Sequence, residues 1–283
     1  MKKTVLITGT SSGFGAAAAN FFVNHGWNVI ATMRDISKAG DLQNSKDVLI
    51  EKLDVQDNTT IDSTIATGIE HFGKIDVVVN NAGYGLFGVF ESASRDAIQQ
   101  QFEVNVFGAM DVVRAILPHF RANRSGTIIN ISSGAGVIGF PMASIYSSSK
   151  FALEGWSEGL RYELASLGIK VKIIEPGGAG ATKFMQRVGG EAGRLQYIED
   201  YLPFLEHTGA MYGGMQGNSD PDAVDKVVDA IYTAATDNTD QLRYTPTNDI
   251  KPILDARRST SEAEYHTFTR SIFEQKKEES SAN

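Results

Sequence analysis

The stretch "TVLITGTSSGFGAAAANF", Thr4–Phe21, runs from a short apolar segment through three glycines into a helical pattern. The glycines stand at 9, 13 and 15, a G-x-x-x-G-x-G spacing. That is neither the usual G-x-G-x-x-G fingerprint nor a P-loop, which needs a lysine where Ala16 follows Gly15. Thr8-Gly9 reads as a strand end, and a helix opens near Gly15. Glycine permits positive φ and close backbone approach to a ligand. Amides at a helix N-terminus face an anion. The stretch therefore reads as a pyrophosphate cradle built from Gly9, Ser11, Ser12, Gly13, Phe14 and Gly15, with a plain tight turn as the simpler alternative.

Outward from this loop, short apolar, β-branched runs near 4–7, 28–32, 48–53, 75–80, 127–131 and 170–174 read as strands. A further candidate lies near 241–246. Runs apolar on both sides suit a parallel sheet covered on both faces. Helical patterns lie between them, including long ones at 94–123 and 143–167. Pro118 predicts a kink or break near the end of the first. Asp220 and Pro221 read as the cap and first position of a later helix. The β-α alternation predicts an α/β, doubly wound, Rossmann-type parallel sheet in one domain over 1–283. Ten glycines interrupt the rhythm at 177–219, read as a substrate-side lid, and 276–283 reads as a disordered tail.

Composition narrows the function. The chain has 283 residues, 42% of them hydrophobic, a net charge of −8 and no cysteine. An acidic chain argues against nucleic acid as a partner. Without cysteine there are no disulfides or thiolate sites, which suits a reducing cytoplasm. The apolar run after the two N-terminal lysines is too short for a signal peptide, and no stretch approaches a membrane span. The five histidines lack ligand spacing, so no metal is expected.

Tyr146 and Lys150 are four apart in a helical pattern and so share a face. A nearby ammonium favours the phenolate, making a tunable acid/base pair. A surface tyrosine beside a lysine is the plainer alternative.

In order, "TGTSSGFG" at 8–15, "NNAG" at 80–83, "YSSSK" at 146–150 and "EPG" at 175–177 resemble the motifs of the short-chain dehydrogenase/reductases, over roughly residues 3–183. The resemblance implies a sheet of about seven parallel strands, a nicotinamide cofactor and hydride transfer to or from an alcohol or ketone. It implies that Ser133 polarises the substrate oxygen, with Ser132 the adjacent alternative. It implies that Asn105, in "FEVNVFG", supports a water linked to Lys150. Asn81, Ala82 and Gly83 would border the adenosine side, as would Asp54 and Val55. Pro176 and Gly177 would border the nicotinamide. The family's threonine five positions beyond the proline is alanine here, so Thr182 is a weaker match. Homodimers or homotetramers through the two long helices are also implied.

Cofactor choice turns on "NVIATMRD". Counting from the loop points to Asp35 and NAD. Strand-end register points to Arg34, suited to a 2′-phosphate, and this favours NADP(H) over NAD(H). The expected function is a cytoplasmic NADP(H)-dependent alcohol/carbonyl oxidoreductase, with apolar substrates suggested by the aromatics at 184–215, Phe87, Phe90 and Phe140. The alternative is a catalytically silent NADP(H)-binding sensor or scaffold of the same fold.

Overall fold

The computed structural model describes residues 2–178, 184–192, 196, 198–217 and 220–274. The first half runs β1 (Thr4–Thr8), α1 (Gly13–Asn24), β2 (Asn28–Met33), β3 (Val48–Lys52), α2 (Asn58–Phe72), β4 (Val77–Asn80), α3 (Arg95–Phe102) and α4 (Gly108–Asn123). The second runs β5 (Gly126–Ile131), α5 (Ser144–Ala165), β6 (Ile169–Ile174), α6 (Phe184–Ala192), α7 (Leu202–Gly217), α8 (Ala223–Thr236), β7 (Arg243–Tyr244), α9 (Lys251–Ser259) and α10 (Glu262–Phe273).

The strands form one seven-stranded sheet ordered β3-β2-β1-β4-β5-β6-β7, every neighbouring pair parallel. Side chains alternate across it with period two. Val5, Ile7, Val29, Val77 and Ile129 face one core with Phe22 of α1 and Val227 and Ile231 of α8. Leu6, Ile30, Val78 and Ile128 face the other, with Ile65 of α2, Ile116 of α4 and Leu160 of α5. Burial on both faces is why the central strands β1 and β4 are almost wholly apolar. The strand order reverses between β1 and β4, and the crevice beyond their carboxyl ends is the ligand position in such sheets.

Three connections differ from the expectation. No α-helix joins β2 to β3. Two 3-10 turns, Ile36–Lys38 and Gly40–Asn44, span that gap instead, with Gly40 at φ 56° where a helix cannot continue. The break in the long 94–123 segment falls at a π-turn, Glu103–Phe107, rather than at Pro118. Pro118 lies on the exposed face of α4, which continues through it to Asn123. Helix α8 begins two residues beyond the expected Pro221, and Asp220 Oδ1 accepts from the Asp222 amide instead of capping the helix directly.

The glycine-rich span expected as a lid contains two helices, α6 and α7, among its described residues. Helix α7 docks on the 140–142 loop, where Tyr212 Oη donates to the Pro141 carbonyl at 2.7 Å. Thr182 and the tail at 276–283 lie outside the described residues. Among the described residues, no helix is long and apolar enough to cross a membrane.

Candidate active site

At the reversal point, a cavity of about 770 Å³ opens along the carboxyl edge of the sheet. One end is the glycine loop. Gly9 and Gly13 take φ of 74° and 59°, values that side-chain-bearing residues rarely adopt. Gly9, Ser11, Ser12, Gly13 and Phe14 line the cavity. Gly15 does not, and its role is packing. A Cβ there would sit 2.5 Å from the Gly9 carbonyl oxygen and closer still to Asn81 Nδ2.

Asn81 holds the loop to the turn after β4. Its Nδ2 donates to the carbonyls of Thr8 at 2.8 Å and Gly9 at 3.1 Å. Thr8 Oγ1 in turn accepts from the Asn81 and Ala82 amides, both at 3.0 Å. Asn81, Ala82 and Gly83 line the cavity, as do Asp54 and Val55. Asp54 Oδ1 accepts from the Gln56 amide at 3.2 Å, while Asp57 caps α2.

At the β2 end, Arg34 lines the cavity and Asp35 does not. Asp35 Oδ1 is occupied by the Ser37 amide at 3.1 Å and hydroxyl at 2.7 Å, which hold its carboxyl below the usual value, and Lys38 pairs with it at 3.5 Å.

The other end gathers Ser133, Tyr146 and Lys150 with Pro176 and Gly177. Tyr146 is buried, its ring tilted against Phe87 and Phe184 at centroid distances of 5.4 and 5.8 Å. Burial pushes its phenol up to about 12, and the neighbouring Ser133 hydroxyl draws it partly back. Ser132 lines the cavity too, with its Oγ beside Gly136, where an added Cβ would stand 2.6 Å from it. Lys150 Nζ donates to the Ile131 carbonyl at 2.8 Å and lies 5.8 Å from the Tyr146 ring centroid. Burial pulls its ammonium down to about 8, and Glu154, one turn further along α5, opposes this. Burial thus favours the neutral phenol, while the Lys150 ammonium is engaged by a backbone carbonyl.

Asn105 sits in the π-turn, 2% exposed. Its Oδ1 accepts from the Tyr84 amide at 3.0 Å, and Nδ2 donates to Tyr84 O at 2.9 Å and Ser149 Oγ at 3.1 Å. These bonds use both Nδ2 hydrogens and one of the two acceptor positions of Oδ1. A Cβ on Gly83 would approach Asn105 Oδ1 at 3.1 Å and Lys150 Nζ at 3.8 Å, so the two side chains flank that glycine.

The structure adds residues that the motifs did not indicate. Gln101, fully buried, accepts from the Leu86 amide at 2.6 Å and donates to Tyr84 O at 2.8 Å, fixing the loop below Gly83. Asp249 and Ile250 reach the cavity from the far end of the chain. Of the aromatics expected around substrate, Phe87, Phe140, Phe184 and Tyr212 line the cavity. Phe90 and Phe204 do not, being 63% and 38% exposed.

Comparison with known proteins agrees with this architecture. The short chain dehydrogenase family model matches residues 3–192. An uncharacterised oxidoreductase of Schizosaccharomyces pombe is 40% identical over 224 residues, covering 77% of this chain and 89% of the relative. The 17-beta-hydroxysteroid dehydrogenase type 1 of Mus musculus is 33% identical over 266 residues, covering 89% of this chain and 76% of that protein. The crystal structure of a short-chain dehydrogenase from Streptomyces avermitilis is similar at a TM-score of 0.79 and 33% identity, covering 96% of this chain and 97% of that one. The chain belongs to the short-chain dehydrogenase family and is an NAD(P)-dependent oxidoreductase.

Proposed function

We propose that this enzyme interconverts an apolar ketone or aldehyde and its alcohol with NADP(H), using Tyr146 as the acid/base. The observation that carries the reading is one continuous cavity with Arg34 and the glycine loop at one end and Ser133, Tyr146 and Lys150 at the other. Its volume of about 770 Å³ is in the range of small-ligand and cofactor sites. The positive-φ glycines give the loop the shape a pyrophosphate needs, so the residues present fit a dinucleotide.

When bound, the reduced nicotinamide supplies a hydride to the carbonyl carbon. Tyr146 supplies the proton to the carbonyl oxygen, for which a phenol held protonated up to about 12 is the correct starting state. Ser133 Oγ donates a hydrogen bond to the same oxygen as charge develops. Lys150, charged below about 8, stabilises the tyrosinate left behind. Alcohol oxidation runs these proton steps in reverse. Phe87, Phe140, Phe184 and Tyr212 favour an apolar substrate, in keeping with the name of the mouse relative.

The cofactor preference rests on Arg34 facing the cavity while Asp35 is spent on its own turn. Arg34→Asp is expected to move the NADPH/NADH ratio of kcat/KM towards NADH by on the order of ten- to a hundred-fold. A wild type that already prefers NADH contradicts this assignment.

We also propose that the enzyme self-associates through α4, the π-turn before it and α5, where Phe107 of the π-turn and Phe151 and Tyr162 of α5 are 48%, 44% and 70% exposed. Sedimentation is expected to show a dimer or tetramer, and a sole species of 30.6 kDa contradicts it.

A further inference from the structure

The wall that faces the reacting end of the cavity depends on residues outside the family-matched span 3–192. The turn Pro176–Gly178 is gripped from two sides. On one side, the Gly134 amide donates to the Pro176 carbonyl at 2.9 Å. On the other, the Gly177 amide donates to Thr247 Oγ1 at 2.8 Å and the Gly178 amide to Asp249 Oδ2 at 2.6 Å. Both acceptors come from the connection between β7 and α9, some 70 and 71 residues further along the chain. Thr247 is 1% exposed. Gly177, Gly178 and Asp249 all line the cavity.

We propose that Thr247 and Asp249 are positioning residues for the reaction: they fix the Pro176–Gly178 turn, through its two backbone amides, as the wall against which the nicotinamide is seated. This rests on the dinucleotide reading above. Three observations support a role beyond folding. The Asp249 carboxylate lies so close that a Cβ on Gly177 would be 2.5 Å from Oδ2, so the acidic group and the glycine are fitted to each other. Among the described residues, Asp249 Oδ1 is buried with no hydrogen-bond partner. An unmet buried acceptor lowers stability, a cost that a strut serving the fold alone would avoid. Gly177 and Gly178 also line the same cavity as Tyr146 and Phe184, whose rings pack together, so the turn and the acid/base border one space.

The test uses full-length Thr247→Val, Asp249→Ala and Asp249→Asn, with NADPH and with 2′-phospho-ADP-ribose, a fragment that lacks the nicotinamide. In Thr247→Val and Asp249→Ala, kcat and NADPH affinity are expected to fall about ten- to a hundred-fold while fragment affinity stays within about two-fold. Asp249→Asn regains most of kcat, because its amide oxygen still accepts from Gly178. Unchanged kcat and NADPH affinity in both variants overturn the proposal. So does a loss of fragment affinity equal to that for NADPH, which marks a role in folding alone. Should Asp249→Ala fail to fold, Thr247→Val decides, since it removes the acceptor and keeps the shape. A wild type that binds neither NADPH nor the fragment sinks the dinucleotide reading instead.

Discussion

Tyr146→Phe is expected to lower reductive turnover by about 10²–10⁴-fold and to leave NADPH affinity unchanged. The substitution removes one oxygen and keeps the ring that packs between Phe87 and Phe184. It also removes the group that burial otherwise holds protonated up to about 12. The fold and the distant glycine loop do not depend on that hydroxyl. Steady-state rates on an apolar ketone, with NADPH binding followed by fluorescence, measure both quantities. Turnover that survives within about tenfold means another group donates the proton. Affinity that falls with turnover means the ring was holding the cavity in shape.

Lys150→Met is expected to lower turnover by about 10²-fold or more, by leaving the developing tyrosinate without its cation. The wild-type pH profile carries the matching signature. Burial lowers the Lys150 ammonium from its ordinary 10.5 to about 8, so the cation is present below that pH and lost above it. Tyr146 stays protonated through the same range, since its value is about 12. Ketone reduction, read as kcat/KM, should therefore decline as pH rises through about 8. Lys150→Arg, which keeps its charge there, should lose that decline. Alcohol oxidation needs the phenolate and should rise with pH instead. A reductive profile in the wild type that is flat from neutral pH to beyond 9 contradicts the role given to Lys150.

The central sheet was legible because its strands are buried on both faces. Val5, Leu6 and Ile7 have no polar side to confuse with a half-exposed strand. Tyr146 and Lys150 were legible because a helix turns four-residue spacing into proximity. The π-turn at Glu103–Phe107 was not, since one extra residue per turn leaves the apolar spacing of "FEVNVFG" looking helical. The β2–β3 link followed the rhythm of the fold rather than its own residues, and Gly40 with its positive φ was the overlooked signal. Ser132 and Ser133 could not be separated by counting. Both line the cavity, and only their neighbours distinguish them: Ser133 lies beside the Tyr146 hydroxyl and caps the Gly134–Gly136 turn, while Ser132 Oγ lies beside Gly136. Thr247 and Asp249 were out of reach because their partners are glycine amides about 70 residues away, and a backbone amide leaves no mark in sequence.

The most direct test of hydride transfer is the fate of a label. NADPH carrying deuterium at the nicotinamide C4, on the transferred side, is mixed with the enzyme and a panel of apolar ketones, and the products are examined by mass spectrometry and NMR. The label is predicted on the new carbinol carbon, with the hydroxyl hydrogen drawn from solvent by way of Tyr146. NADPH that binds tightly while no ketone or aldehyde acquires deuterium would contradict the account and favour a binding protein that has kept the fold without the chemistry.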